Sequence, residues 1–490
     1  MSDSVTCTSI INLRYQDGSE GSPSNPARFK YQDYAQLKDN SLRRKRLFVD
    51  NTFPPDNRSL GDLPNLSRWQ EDEVEWLRPA VKYSVLTCNF FVMQNYLFLT
   101  SPGNCWFLAA ISSLTFQKHL MAQVVPMDQS FKNYAGIFHF RFWRFGRWVE
   151  VVIDDHLPTI NNQLLSVRSK GGNEFWVPLL EKAYAKVCGS YADMNAGLPS
   201  EACKDFSGGV NMTYELGEAH TAGHDEKLWL QLSRATGCKS MICCGTAPKG
   251  LKICHSSFQV EYYGSKEQLV RIMNPWGKTE WNGKWSDKSD VWERVRQEDR
   301  EKCFDRDDGE FWMALEDFCH YFNMVSICCE NPNFIDGDLN CQWQVMIYDG
   351  SWVAGASAGG NLSYCESTTF ATNPQYRIQV SIIDRKEQDD KNILLSLMQK
   401  PQHDNRKQRR SHPIGLTVFK GRLGSSFFNR NRPLKSRQMY SYNRDVIEMH
   451  SLEPGEYVVV PSTVRPNMSA EFVLSVFTKS ESHAASEAPQ

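Results

Sequence analysis

Cys105 stands between a Pro-Gly-Asn turn and a strongly helical run, with Trp106 beside it, in the stretch SPGNCWFLAAISSLTF at residues 101–116. Pro102 and Gly103 punctuate the backbone, and Asn104 is a favourable N-cap. Phe107, Leu108, Ile111 and Leu114 then recur at the spacing of a buried helix face. Cys105 is therefore expected in the first turn of a helix. Free backbone N–H groups and the helix dipole there favour a thiolate and lower a thiol pKa from its usual value near ~8.5. A thiolate so placed is a nucleophile. The same residue could instead be one more small buried hydrophobe, the common state of a free cysteine.

Two kinds of element must hold such a thiol. The segment GIFHFRFWRFGRWVEVVIDDHLPT (136–159) alternates on either side of Arg144–Arg147, which predicts a hairpin with a buried face. EFWVPLLEKAYAKVCGSY (174–191) has helical spacing, with Leu179, Leu180, Ala183, Tyr184 and Val187 on one side. Beyond about residue 210 the pattern turns to short strands separated by Gly, Pro and Asn, including QVEYYG, QLVRIMNPWG and TEWNGKWSD. A helical half followed by a sheet-rich half leaves a cleft between them. From about residue 332, WQVMIYDGSWV, QYRIQVSIID, IGLTVFKG and GEYVVVPS with EFVLSVFT read as the strands of a β-sandwich.

The 490 residues suffice for about three domains, and 41% hydrophobic with 23% charged residues is an ordinary globular composition. A net charge of -2 gives no global reason to bind nucleic acid, so no such partner is expected. The 15 cysteines are odd in number and lack C-x-x-C pairs, and the first residues do not read as a secretory signal. Together these features predict a reducing, cytoplasmic setting. The first 80 or so residues are polar and Pro-rich and read as a loose lead-in around short helices, with a basic run LRRKRL (42–47) that suits a solvated face.

Ordered motifs across residues 28 to 480 carry a family resemblance: LFVDNTFPP, GNCWFLAAISSLT, GRWVEVVIDDHLP, EFWVPLLEKAYAKVCGSY, DFSGGV, NPWGKTEW, DDGEFWM, TFATNPQYRI and EPGEYVVVPST. The chain resembles the calpains, calcium-regulated cysteine endopeptidases of the cytosol. The resemblance implies an α+β fold: a papain-like two-lobed core followed by an all-β, C2-like sandwich. It divides the chain into a lead-in (1–46), a helical half with the nucleophile (47–210), a sheet half with the His and Asn (211–331), the sandwich (332–480) and a tail (481–490).

On this resemblance Cys105 is the nucleophile, His255 in ICHSSFQV the base, and Asn274 in MNPWG the residue that orients the imidazole, with Trp276 shielding that contact from water. A thiolate paired with an imidazolium attacks a peptide carbonyl, and the imidazole then protonates the leaving amine. His255 lies closer to Asn274 than the family pattern has it. His220 and His224 match no motif and are expected on an exposed helix or loop. Leu99 occupies the position, six residues before Cys105, of the family's oxyanion-binding glutamine, with Gln94 nearby. Losing one such donor costs about 10²- to 10³-fold in turnover.

The resemblance also implies Ca²⁺ in each half. Glu280, Asp287, Asp308, Glu310 and the Arg306 carbonyl would serve the sheet half, as hard oxygen ligands on loops. In the helical half Glu181 matches, but Tyr96 stands where the family has an aspartate. No EF-hand loop follows the sandwich, so the small regulatory subunit is not an expected partner. Protein substrates are. The basic loop HDNRKQRRSH (403–412) could meet an anionic membrane surface or be merely solvated. Two functions follow: a calcium-dependent endopeptidase, or a calpain-shaped binding protein, responsive to calcium or phospholipid, whose cleft is spoiled at Leu99 and around His255.

Overall fold

The computed structural model describes residues 11–12, 18–64, 66–79, 97–99, 104–129, 131, 133–165, 167–169, 175–216, 222–246, 250–274, 281–303, 310–335, 343–363, 367–380, 391–401, 406, 411–421, 427–435, 439–479 and 483–485. They fall into two units. Pro26–Trp143 with Trp148–Cys329 form one, and the other is built chiefly from the residues after Glu330.

In the first unit the segment expected to be a loose lead-in is tied into the core. Strand β1 (Ala27–Arg28) runs parallel to a later strand, helix α1 (Tyr34–Arg44) is capped by the Asp33 carboxylate, and Asp50 is completely buried. Strand β2 (Glu75–Leu77) and the short β3 (Leu97–Leu99) follow, and then helix α2 (Cys105–Thr115). The predicted hairpin is β4 (Ile137–Arg144) and β5 (Arg147–Asp154), turned through Phe145 and Gly146, both at positive φ. β5 pairs with β1. β6 (Leu157–Ile160) pairs with β2, and β7 (Val167–Ser169) with β3. Helices α3 (Trp176–Cys188) and α4 (Pro199–Ser207) complete the helical half, and every residue of α3 is buried.

The second half of this unit is a six-stranded antiparallel sheet. Its strands are β8 (Val210–Glu215), β9 (Met241–Thr246), β10 (Gly250–Tyr262), β11 (Ser265–Met273), β12 (Glu310–Ala314) and β13 (Met324–Cys329), in the spatial order β8-β13-β9-β10-β11-β12. Helix α5 (Ala222–Gly237) packs on β10. The stretch TEWNGKWSD, expected as a strand, is a turn over its described residues. The Trp281 indole folds back to donate to the Lys284 carbonyl at 2.7 Å, and a Cβ at Gly283 would collide with the same ring.

The other unit is the β-sandwich. One sheet runs Ile11–Asn12, β14 (Trp343–Trp352), β20 (Ala470–Lys479), β16 (Ile393–Gln399), β18 (Asp445–His450). The second runs Tyr440–Ser441, β17 (Ile414–Lys420), β19 (Gly455–Thr463), β15 (Tyr376–Val380), His483–Ala485. Trp352, Leu395, Leu397 and Leu474 from the first meet Ile378, Leu416 and Val459 from the second in one apolar core. The mixed α+β architecture is the one the sequence implies. No helix among the described residues is long and apolar enough to cross a membrane.

Candidate active site

Cys105 opens α2, and it alone among the described cysteines is partly exposed. All of them are free thiols. Burial pushes the Cys105 thiol up, against its own N–H and that of Trp106, which pull it down. The direction corrects the expectation from helix position alone: desolvation of the anion outweighs the donors at the helix start. A thiolate at Cys105 thus needs a cationic partner.

Two aromatic rings fix the helix behind the thiol. The Trp106 indole donates to the Met194 carbonyl at 2.8 Å, and Tyr184 of α3 meets Trp106 edge-on at 5.9 Å and Phe107 at 4.6 Å. The Tyr184 hydroxyl in turn donates to Asp205 of α4 at 2.9 Å. Asn104 occupies the N-cap position but makes no side-chain cap. Its amide reaches Glu181 of α3 instead, donating to Oε1 at 2.9 Å, while the Val167 N–H donates to Oε2 at 3.2 Å. Asn104 and Glu181 are both buried.

The other side of α3 carries two lysines, buried because each meets a buried carboxylate. Lys182 donates to Asp154 at 2.5 Å and to the His156 carbonyl at 2.6 Å. Lys186, one turn on, donates to Asp50 and to the Val152 carbonyl, each at 2.6 Å, and to Gln32. The Asp154 carboxylate also accepts from the Asp50 N–H at 2.8 Å. Helix α3 therefore locks the lead-in segment on one face and the helix of Cys105 on the other.

The remaining candidates lie on the β10–β11 hairpin. Cys254 pairs with Ile272 and Ser256 with Arg271, so His255 is the extra residue of a β-bulge. Bulges re-aim side chains and recur beside active sites. Ile253 pairs with Met273, and Asn274, which is buried, follows directly. His255 and Asn274 thus both stand at the end of the hairpin away from its Tyr262–Ser265 turn. Helix α2 packs on β9 and on β10, the strand that bears His255. The side chain of His255 and the whole of Trp276 lie outside the described residues.

The expected calcium ligands divide differently. Glu181, which the resemblance offers as a ligand in the helical half, accepts one N–H at each carboxylate oxygen. Tyr96 lies outside the described residues. In the sheet half Glu310 pairs with Arg271, and Asp287 lies in the turn region after Trp281. Glu280, Arg306 and Asp308 lie outside the described residues, as does most of the basic loop at 403–412. Among the described residues no group of three His, Cys, Asp or Glu converges as a metal site. The sheet-half donors, carboxylates plus a carbonyl, nevertheless have the hard-oxygen chemistry that calcium requires.

The chain is similar to known proteins over most of its length. Residues 48–329 match the model of the calpain family cysteine protease, and residues 348–477 that of calpain large subunit, domain III. Over 492 residues the chain is 37% identical to the calpain-2 catalytic subunit of Gallus gallus, spanning 92% of this chain and 69% of that protein. Against the calpain-1 catalytic subunit of Sus scrofa identity is 38% over 514 residues, covering 97% and 71%. Against the calpain-2 catalytic subunit of Homo sapiens it is 35% over 500 residues, covering 95% and 70%.

Proposed function

Because the chain belongs to the calpain family of cysteine proteases, we propose that it is a calcium-dependent endopeptidase that makes limited cuts in protein substrates through Cys105, His255 and Asn274. The observation that carries the reading is the packing of α2 on β10, which brings the helix of Cys105 against the strand of His255.

In this mechanism the His255 ring takes the Cys105 proton, and the resulting imidazolium supplies the positive charge that the partly buried thiol lacks. The thiolate adds to the peptide carbonyl, and the oxyanion is held by the Cys105 N–H. Leu99 offers no second side-chain donor, which lowers turnover by about 10²- to 10³-fold relative to a site with two. The imidazolium then protonates the leaving amine, and the thioester remains. A water deprotonated by the same ring releases the acid and restores the thiol. Asn274 accepts the other ring N–H and keeps the imidazole in one tautomer. When bound, calcium supplies positive charge to the loops of the sheet half, held by Glu280, Asp287, Asp308, Glu310 and the Arg306 carbonyl. Free thiols throughout the described residues suit a cytoplasmic location.

The test is a thiol-directed epoxide, applied with and without calcium, with the label located by mass. Calcium-dependent modification of Cys105 that His255→Ala abolishes supports the protease. An unmodified Cys105 at saturating calcium, with no cleavage of casein, supports instead a calcium- or phospholipid-responsive binding protein.

A further inference from the structure

We propose that Glu181 is a positioning residue for Cys105, fixing the entry of α2 through Asn104 directly rather than through a bound cation. The inference rests on the reading of Cys105 as the nucleophile.

The Glu181 carboxylate is wholly buried and takes an N–H from each of two separate segments: the Asn104 amide at 2.9 Å and the Val167 backbone at 3.2 Å. Val167 is also the strand partner of Leu99, so one carboxylate joins the strand that precedes the thiol, the strand opposite it and the residue adjoining Cys105. Hydrogen bonds to an ionised acceptor are short and roughly twice as strong as neutral ones. Tyr184, three residues further along α3, holds the other side of the same helix start through Trp106 and Phe107. The first turn of α2 is therefore gripped by α3 at two points, one polar and one aromatic. Each carboxylate oxygen thus has a donor of its own from the chain, and one of those donors adjoins Cys105. An Asn at 104 can serve this arrangement because its NH₂ donates, whereas a carboxylate there would repel Glu181 and call for a cation.

Three measurements on the full chain test this: the rate of Cys105 alkylation by iodoacetamide, located by mass; calorimetric titration with calcium chloride alone; and kcat and KM on casein. Small displacements of a reacting group can cost about 10²-fold. Glu181→Gln and Asn104→Ala are accordingly expected to slow alkylation and lower kcat by about 10- to 100-fold with KM little changed. Calcium stoichiometry and half-saturation should stay at the wild-type values. Asn104→Asp is expected to lose reactivity without calcium and to bind one calcium more than wild type.

If Glu181→Gln loses one bound calcium, or shifts half-saturation tenfold while the saturated alkylation rate holds, Glu181 is a metal ligand and the proposal fails. If Glu181→Gln does not fold, Asn104→Ala decides, and an unaltered alkylation rate there refutes the positioning role. A wild-type chain that alkylates at Cys105 but never cleaves casein removes the protease reading and leaves this test readable, because alkylation reports the thiol's placement alone.

Discussion

Replacing Lys186 by Met should unfold the first unit at markedly lower denaturant. Its ammonium and the Asp50 carboxylate are both fully buried and meet at 2.6 Å. The ammonium also satisfies the Val152 carbonyl and the Gln32 amide oxygen. Methionine fills most of the volume but strands an anion that keeps only Gln32 and Thr52 as donors. Removing one partner of a buried pair costs about 3–5 kcal/mol, a large share of a domain stability of about 5–15 kcal/mol. Asp50→Asn should cost less, and the Lys186→Met/Asp50→Asn double variant should lose less than the sum, by about 1–3 kcal/mol.

Acid–base linkage gives this pair a second signature. Burial holds the Lys186 pKa down to about 8, with Asp50 offsetting only part of the shift. Between about pH 8 and the unfolded value of 10.5 the unfolded chain therefore binds the proton that the folded chain has released, and stability rises with pH. Lys186→Met should lack this rise. Urea unfolding followed by tryptophan fluorescence, at pH 7 and across pH 8 to 10.5, measures both. A loss below about 1 kcal/mol for Lys186→Met, or strict additivity in the double variant, would refute the argument.

Other outcomes follow from the same frame. His139 is buried between Asp128 and Glu150, each 2.9 Å from a ring nitrogen, beneath the stacked ring of Tyr34. Burial opposes its charged form, but the two carboxylates prevail and hold its pKa above the usual value. Its contribution is full below the unfolded pKa of about 6.5 and is lost as pH rises through the higher folded value. His139→Asn should therefore narrow its stability gap to wild type as pH rises from 6 to 9, and a gap independent of pH would contradict this. Gly208 ends α4 at φ +70°, where a Cβ would lie 2.7 Å from the Trp143 ring. Gly208→Ala should cost about 1–3 kcal/mol, read as a lower urea midpoint.

Much of the site was legible because its signals are local. The helix of Cys105 follows from turn residues and spacing within sixteen positions, and it forms there. The amide of Asn104 was assigned to a cap for the same reason, since nothing nearby reveals a carboxylate on a helix 77 residues away. Lys182 and Lys186 were unreadable in the same sense: a lysine in a helix implies solvent until Asp154 and Asp50 are seen to cover it. β16, ILLSLMQ, is buried along its whole length and so carries no polar–apolar alternation to mark it as a strand. The direction of the Cys105 shift depends on how deeply the fold encloses it, which helix position alone does not encode.

The bulge at His255 also leaves the chain room to change in length. Residues opposed across an antiparallel pair share a face, and Cys254 meets Ile272 while Ser256 meets Arg271, so the bulge absorbs its extra residue without altering which way its neighbours point. Ile253 and Cys254, both fully enclosed, would keep their sides if that residue were lost. A one-codon loss there would erase the bulge and the side chain it carries while sparing the hairpin, whereas a one-residue slip in the pairing itself would turn enclosed side chains outward.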